Sequence, residues 1–389
     1  MKIGMPTTSF PRNVHDISGV FVLGMARALA QLGHEIEVIA PESNEDDGAW
    51  THPAPGVSVR WLPYVRPRSL ERTFHRHGAP DNLARDPLAW LGAATFPLVL
   101  GHALAKERSS SRRWDAIISH WGLPTGLVVS LAREHQKHIA FFHSADVHLL
   151  AMSARMGRVL AREISLGSDS LVFVSAALRD RFLALAPESA SKAHVIAMGV
   201  DRPTTFDRAH ARRELGCSEL TLLVMSRLVP IKGVDRAIEA VSGLPGIRLV
   251  IAGAGPERTR LERSAPPNVH FMGQLAGLEK ATWLAAADAL IAPSITLASG
   301  RTEGAPTAVI EAMAAGLPII AHPVGGLPEL IMHERSGLLS SSCDVRDLRS
   351  AILRFAEDPN LASRLRRNAE EEGMKRTWDF VVPKIQALL

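Results

Sequence analysis

Short apolar runs alternate with longer stretches of helical period along most of the chain. Met1-Lys2-Ile3-Gly4 leads directly into a strand-like start. A helical pattern over Val20–Leu32 follows, closed by Gly33, a residue suited to a helix C-terminus. A strand is then predicted at Glu35–Ala40, with others at Ala116–Ser119, His138–Phe142, Ser170–Val174 and His194–Ala197. A second series is predicted at Thr221–Ser226, Arg248–Ala252, Val269–Met272, Ala289–Ala292 and Pro318–Ala321. Strands alternating with helices imply parallel sheets covered on both faces. Two such series imply two doubly wound α/β domains in tandem. The junction is expected in the polar stretch 200–218, which holds Pro203. Segment 41–113 is rich in Pro, Arg and His and is the least regular.

Length and composition agree with that picture. The 389 residues suit two domains of about 150–200 residues each. With 46% apolar and 22% charged residues, a largely disordered chain is excluded. A net charge of +4 is too small for a dedicated nucleic-acid binder. The longest apolar stretch, Trp90–Ala105, is interrupted by Pro97 and His102, so no spanning helix is expected. With no leader in view, a cytoplasmic location is expected. Two cysteines, Cys217 and Cys343, allow no disulfide framework and read as structural thiols. Residues 60–113 carry 10 Lys and Arg against 4 Asp and Glu. That surface could meet an anionic membrane or acceptor, or could be an ordinary solvated face.

Candidate chemistry falls where strands are predicted to end. In Glu303–Gly316, Pro306 fits a first helical turn and Glu311 is the only charge between Gly304 and Gly316. A carboxylate in so apolar a helix needs a partner. Glu303 and Glu311, seven residues between them, could accept bonds from sugar and ribose hydroxyls, and the helix start could receive an anion. A capping Glu and a surface Glu would fit the same pattern. In Met225–Gly233, Arg227 and Lys232 stand five residues apart across a tight loop, where a fork and a point charge could clamp a diphosphate. Gly253-Ala254-Gly255 is a Gly-x-Gly turn without the rest of a dinucleotide fingerprint.

In the first half, His143 follows the Phe141-Phe142 strand end and could bond a sugar hydroxyl. Gly19 opens a helix and could let backbone N–H groups approach a phosphate. Asp16 or Ser18 could cap that helix instead. No His or Asp spacing suits a metal, so metal-independent chemistry is expected. There is no nucleophile elbow and no Gly-Lys-Ser/Thr phosphate loop.

Taken together, these residues resemble the retaining nucleotide-sugar glycosyltransferases of family 4, which have the GT-B fold. The resemblance covers nearly the whole chain. It rests on Ser9–Arg12 with Asp16–Gly19, Gly33–Val38, His120-Trp121-Gly122-Leu123-Pro124, His143–Asp146 and Met198–Asp201. Its most specific part is the Arg227/Lys232 loop followed by Glu303-x7-Glu311. The resemblance implies two Rossmann-like domains facing across a cleft. Residues 1–203 would bind the acceptor and 204–373 the donor, with a C-terminal helix over 374–389 returning to the first domain. It also implies roles. Arg227 and Lys232 hold the donor diphosphate, Glu311 the ribose, and Glu303 the sugar, with Gly304 and Ala305 beside it. Gly255, Gln274, Leu275 and Lys280 lie on the nucleotide side. His143 faces the sugar, Gly19 the diphosphate, and Asp16 and Asp146 the acceptor side. Ser18-Gly19 stands where many relatives have two glycines, and Ala305-Pro306 where aromatic-Gly is common.

The expected activity is retaining transfer of a hexose from a UDP- or GDP-linked sugar to a hydroxyl acceptor, without a further cofactor or metal. The acceptor could be a glycan, a lipid-linked glycan at a membrane surface or a small natural product. Alternatives are a catalytically silent sugar-nucleotide binder and, on Gly253-x-Gly255 alone, a dinucleotide-dependent oxidoreductase.

Overall fold

The computed structural model describes residues 1–43, 49–75, 78–108 and 113–389. The chain forms two compact units, Met1–Ala197 with Val381–Leu389, and Met198–Phe380. The chain passes between the units at 197/198 and 380/381.

The first unit holds β1 (Lys2–Pro6), β2 (Glu35–Pro41), β3 (Val57–Leu62), β4 (Ala116–His120), β5 (Lys137–Phe142), β6 (Ser170–Phe173) and β7 (Ala193–Val195). They form one sheet in the order β3-β2-β1-β4-β5-β6-β7, with every neighbouring pair parallel. The order reverses between β1 and β4. In open α/β sheets such a reversal opens a crevice at the strands' carboxyl ends.

β3 was not predicted. Val57 and Val59 turn inward and Ser58 and Arg60 are part exposed, a half-buried alternation set among Pro, Arg and His residues. The apolar run at 90–105 lies within the helix Ala89–Arg108. Phe96, Leu100 and Leu104 from this helix bury against Ile39, Trp114 and Ile117. Among the described residues no helix is long and apolar enough to cross a membrane.

The basic stretch spends part of its charge inside this unit. Arg60 pairs with Glu37 and with Glu107 at 2.6 Å, and Arg68 reaches Glu42 at 2.5 Å. Arg72 lies 3.5 Å from Asp86. Residues 76–77 and 109–112 of the stretch lie outside the described residues.

The second unit holds β8 (Leu220–Met225), β9 (Ile247–Ala252), β10 (Val269–Gly273), β11 (Ala289–Ala292), β12 (Ile319–Ala321) and β13 (Gly337–Leu339). The order is β10-β9-β8-β11-β12-β13, again all parallel, with the reversal between β8 and β11. Leu222, Val224, Leu249, Ile251 and Ile291 are fully or almost fully buried and form the sheet's core with Leu348 and Ile352 of the helix Val345–Glu357. Strands covered on both faces read as unbroken apolar runs, which is why this series was legible. The unit's ends are tied together. Val200 N–H donates to Arg376 O at 3.1 Å, Trp378 N–H to Val200 O at 2.9 Å, and the Trp378 ring packs over Gly199.

Candidate functional site

In the second unit, the loops leaving β8 and β11 flank the point where strand order reverses. The β8 loop carries Arg227, makes a short turn over Pro230–Lys232 and passes into the helix Val234–Val241 through Gly233. Gly233 has φ 59°, and a Cβ there would come within 2.1 Å of Pro293 O in the β11 loop. Only glycine tolerates both conditions. Ile295 N–H also donates to Ile231 O at 2.9 Å, so the two loops are fastened backbone to backbone.

On that base, Lys232 Nζ meets Glu303 Oε1 at 2.9 Å, both side chains nearly buried. Glu303 lies in the extended segment before the helix Thr307–Ala314. Its own backbone is gripped from below. Gly326 N–H donates to Glu303 O at 3.3 Å, and a Cβ on Gly325 would come within 2.1 Å of the same oxygen. Glu311, on the helix, pairs with Lys280 Nζ at 3.1 Å, in a more open setting. Each predicted carboxylate therefore has a lysine partner, which answers the cost of placing a charge in an apolar helix. Gly304 is buried and Ala305 half-buried, one and two residues after Glu303. Arg227 is half-buried two residues after Met225, the last β8 position that pairs in the sheet before the loop. Leu275 is buried beyond β10, and Gln274 beside it is exposed.

Gly253 and Gly255 have a local packing job. A Cβ on Gly253 would meet Ser226 O at 1.9 Å, and one on Gly255 would meet Leu228 O at 2.3 Å. Leu228 N–H donates to Ala254 O at 2.8 Å. The Gly-x-Gly turn thus lies directly on the backbone that carries Arg227. Glycine is needed there for close approach of protein to protein.

The first unit gathers a different set of groups. Gly19 has φ 65°, and a Cβ would strike Ser9 O at 2.2 Å, so the start of the helix Val20–Gln31 is packed on the β1 loop. Asp16 is taken up locally. It accepts from Arg12 Nε at 2.7 Å and from Ser18 N–H at 2.9 Å. Burial raises its pKa, but these contacts outweigh it and the net shift is downward.

Asp146 is 1% exposed. It accepts N–H bonds from Gly122 at 2.7 Å, His143 at 3.1 Å, Ser144 at 3.0 Å and Val147 at 2.9 Å. Burial pushes its pKa to about 6 against the lowering by those four donors. Its carboxylate faces inward and fixes the loops after β4 and β5.

His143, just past β5, sits in a ring cluster with Trp121 (4.7 Å between centroids), Phe21 (5.0 Å) and His120 (5.3 Å). Desolvation there lowers its pKa, so the ring is neutral near pH 7. Trp121 and Ser144 carry positive φ, 66° and 114°, uncommon for residues with a Cβ. Such strain gathers where the surrounding structure over-determines a site. The sequence reading assigned nothing to His120 or Phe21. The available signal was a polar residue closing an otherwise buried strand.

Among the described residues, no three His, Cys, Asp or Glu side chains come together to hold a metal. Cys217 and Cys343 are unbridged.

Two family models match the chain. One described as "Glycosyl transferase 4-like domain" covers residues 18–199. One described as "Glycosyl transferases group 1" covers 206–372. The chain is 27% identical to a glycogen synthase of Mycobacterium tuberculosis over 98% of its own length and 91% of the relative's. It is 28% identical to a GDP-mannose-dependent monoacylated alpha-(1-6)-phosphatidylinositol monomannoside mannosyltransferase of Corynebacterium glutamicum, over 75% of this chain and 80% of that one. Among solved structures it resembles Anabaena Alr3699/HepE in complex with UDP-glucose, with a TM-score of 0.70 at 19% identity, covering 100% of this chain and 98% of the other. The chain belongs to the GT-B glycosyltransferases, with a 4-like first domain and a group 1 second domain.

Proposed function

We propose that this glycosyltransferase moves a hexose from a nucleoside-diphosphate sugar, UDP- or GDP-linked, to a hydroxyl of a glycan or glycolipid acceptor, with retention at the anomeric carbon. The observation that carries the reading is the Lys232–Glu303 pair, which joins the two loops flanking the strand-order reversal. Cleaving the sugar–phosphate bond builds negative charge on the diphosphate and positive charge on the anomeric carbon. Arg227 and Lys232 are assigned to the former, with the N-terminus of the helix Thr307–Ala314 adding its dipole. Glu303 is assigned to the sugar, beside Gly304 and Ala305, and Glu311 to the ribose hydroxyls. Gly255, Gln274, Leu275 and Lys280 are assigned to the nucleotide side. From the first unit, His143 is assigned to a sugar hydroxyl and Gly19 to the diphosphate.

Retention is assigned as same-face attack. The acceptor oxygen bonds to the anomeric carbon as the sugar–phosphate bond breaks, and the acceptor proton passes to the leaving phosphate. Because side-chain cations supply the positive charge, turnover is expected to persist in EDTA. A requirement for added divalent ions would count against this part. We place the reaction in the cytoplasm, where nucleotide sugars are made.

A relative uses GDP-mannose and a neighbouring structure holds UDP-glucose, so the donor class is the first thing to measure. Thermal shift with UDP, GDP, ADP and their sugar conjugates should single out one nucleotide. A ligand at about 100 times its dissociation constant stabilises by about 2.7 kcal/mol. The preferred conjugate is then offered with oligosaccharide, lipid-linked and small-aglycone acceptors. Donor binding with neither transfer nor hydrolysis would replace the enzyme reading with that of a silent binder.

A further inference from the structure

His120 closes β4 and His143 follows β5, its neighbour in the sheet, with His120 in register with Phe141. The two imidazoles lie 22° from parallel, and His120 Nδ1 is 3.0 Å from His143 Nε2. His120 is fully buried, and its other nitrogen, Nε2, has no hydrogen-bond partner. His143 is half-buried. Asp146 holds the peptide N–H groups of Gly122 and His143, so one carboxylate sets the spacing of both loops.

The contact needs one proton between the two rings, and two neutral arrangements supply it. In the first, His120 Nδ1–H donates to His143 Nε2. His120 Nε2 is then a bare lone pair, and His143 carries its own proton on Nδ1. In the second, His143 Nε2–H donates to His120 Nδ1. His120 must then keep its proton on Nε2, where it has no acceptor, and His143 Nδ1 is bare. Orphaned buried N–H groups are rarer than under-used buried acceptors. The ring environment favours neutral imidazoles, so a third arrangement with both rings charged does not compete.

We infer that His120 is a positioning residue that fixes the tautomer of His143, so that His143 presents an Nδ1–H donor to its ligand. A group held this way bonds an oxygen lone pair, such as that of a sugar hydroxyl or ring oxygen, and takes no proton as a base. The identity of that oxygen rests on the transferase reading; the tautomer does not.

The test is long-range 1H–15N correlation on the full chain labelled with 15N-histidine, with a His143→Asn variant used to assign the ring. In the unaltered protein, His143 should carry its proton on Nδ1. A proton on Nε2 overturns the inference before any variant is made. His120→Gln keeps an N–H that can reach His143 Nε2 and should preserve both the tautomer and donor kcat/KM within about 2-fold. His120→Leu removes the donor. The His143 signals should shift to a mixture of tautomers, and kcat/KM should fall by about 5–10-fold, the worth of one neutral hydrogen bond. Equal behaviour of the two variants would sink the positioning role. A protein with the Nδ1 proton in place but no transfer activity would keep the dyad and lose only the sugar assignment.

Discussion

The two strand-order reversals in this chain are alike in topology and opposite in chemistry. In the second unit the loops after β8 and β11 bring Lys232 and Glu303 together, and the helices that follow β10 and β11 pair Lys280 with Glu311. In the first unit the loops after β1, β4 and β5 bring together aromatic and imidazole rings, fixed from behind by a carboxylate that faces inward. The same backbone device thus serves two ends. The second unit's groups suit an anion and its counter-hydroxyls. The first unit's groups suit a neutral oxygen approached in one direction. Charges on flexible stems can rearrange around a ligand, whereas rings held by packing and four peptide N–H bonds have one geometry.

That contrast can be broken at its strongest point first. Lys232→Ala should lower transfer by about 10²–10³-fold while the protein stays folded, since a donor aimed at developing charge is worth about 3–4 kcal/mol. A fall of less than about 5-fold in steady-state assays would remove Lys232 from the charge-stabilising set. In the first unit, Asp146→Ala leaves four backbone donors without their acceptor. It should cost about 3 kcal/mol in urea unfolding, and donor turnover should fall because His143 loses its anchor. Unchanged stability would mean that the loops are held by something else.

A third effect separates the units by pH. His138 is fully buried in the first unit and bonds Gly167 O at 2.8 Å through Nδ1. Burial pushes its pKa to about 4, against the raising by Gly167; Arg133 lowers it further and Asp169 raises it. Between about 4 and the unfolded value near 6.5, the unfolded chain binds the extra proton. Stability should therefore fall as pH drops through that window, by about 3 kcal/mol from His138 alone at 1.36 kcal/mol per unit. Asp146, shifted to about 6, acts the other way between 4 and 6 and offsets part of it. Melting of the wild type and His138→Gln from pH 7 to 4.5 checks this. Equal slopes would show that His138 is not the group responsible. Smallest of all, Lys280→Met removes the more exposed pair and should weaken nucleotide binding by about 5-fold, read by calorimetry. No change would leave Glu311 as the only member of that pair to assign.

Legibility followed the same line between the units. The β8, β9, β11 and β12 strands were plain because they are mainly apolar runs, and the charged candidates stood out because Glu311 is alone in an apolar helix. β3 was hidden because an edge strand mixed with Arg and Trp gives no clean period. β13 is three residues long and gives hardly any. Asp146 was visible as a carboxylate after a strand, but nothing local shows that it turns inward to four peptide groups. Gly253 and Gly255 resembled a phosphate turn because glycine answers any demand for close approach, whichever partner supplies it. His120 was quoted within a motif and left without a role. Its importance comes from a neighbour 23 residues away.

By itself the sequence determined the kind of fold, the presence of two α/β units, and the charged residues assigned to a diphosphate sugar. Those features follow from periodicity and from isolated charges, which are local. Only the tertiary structure decided that each glutamate is matched to a lysine, that Gly255 supports the Arg227 loop, and that Asp146 and His120 stand behind His143. Those are contacts between distant segments, set when parallel strands come into register and bring their carboxyl ends side by side.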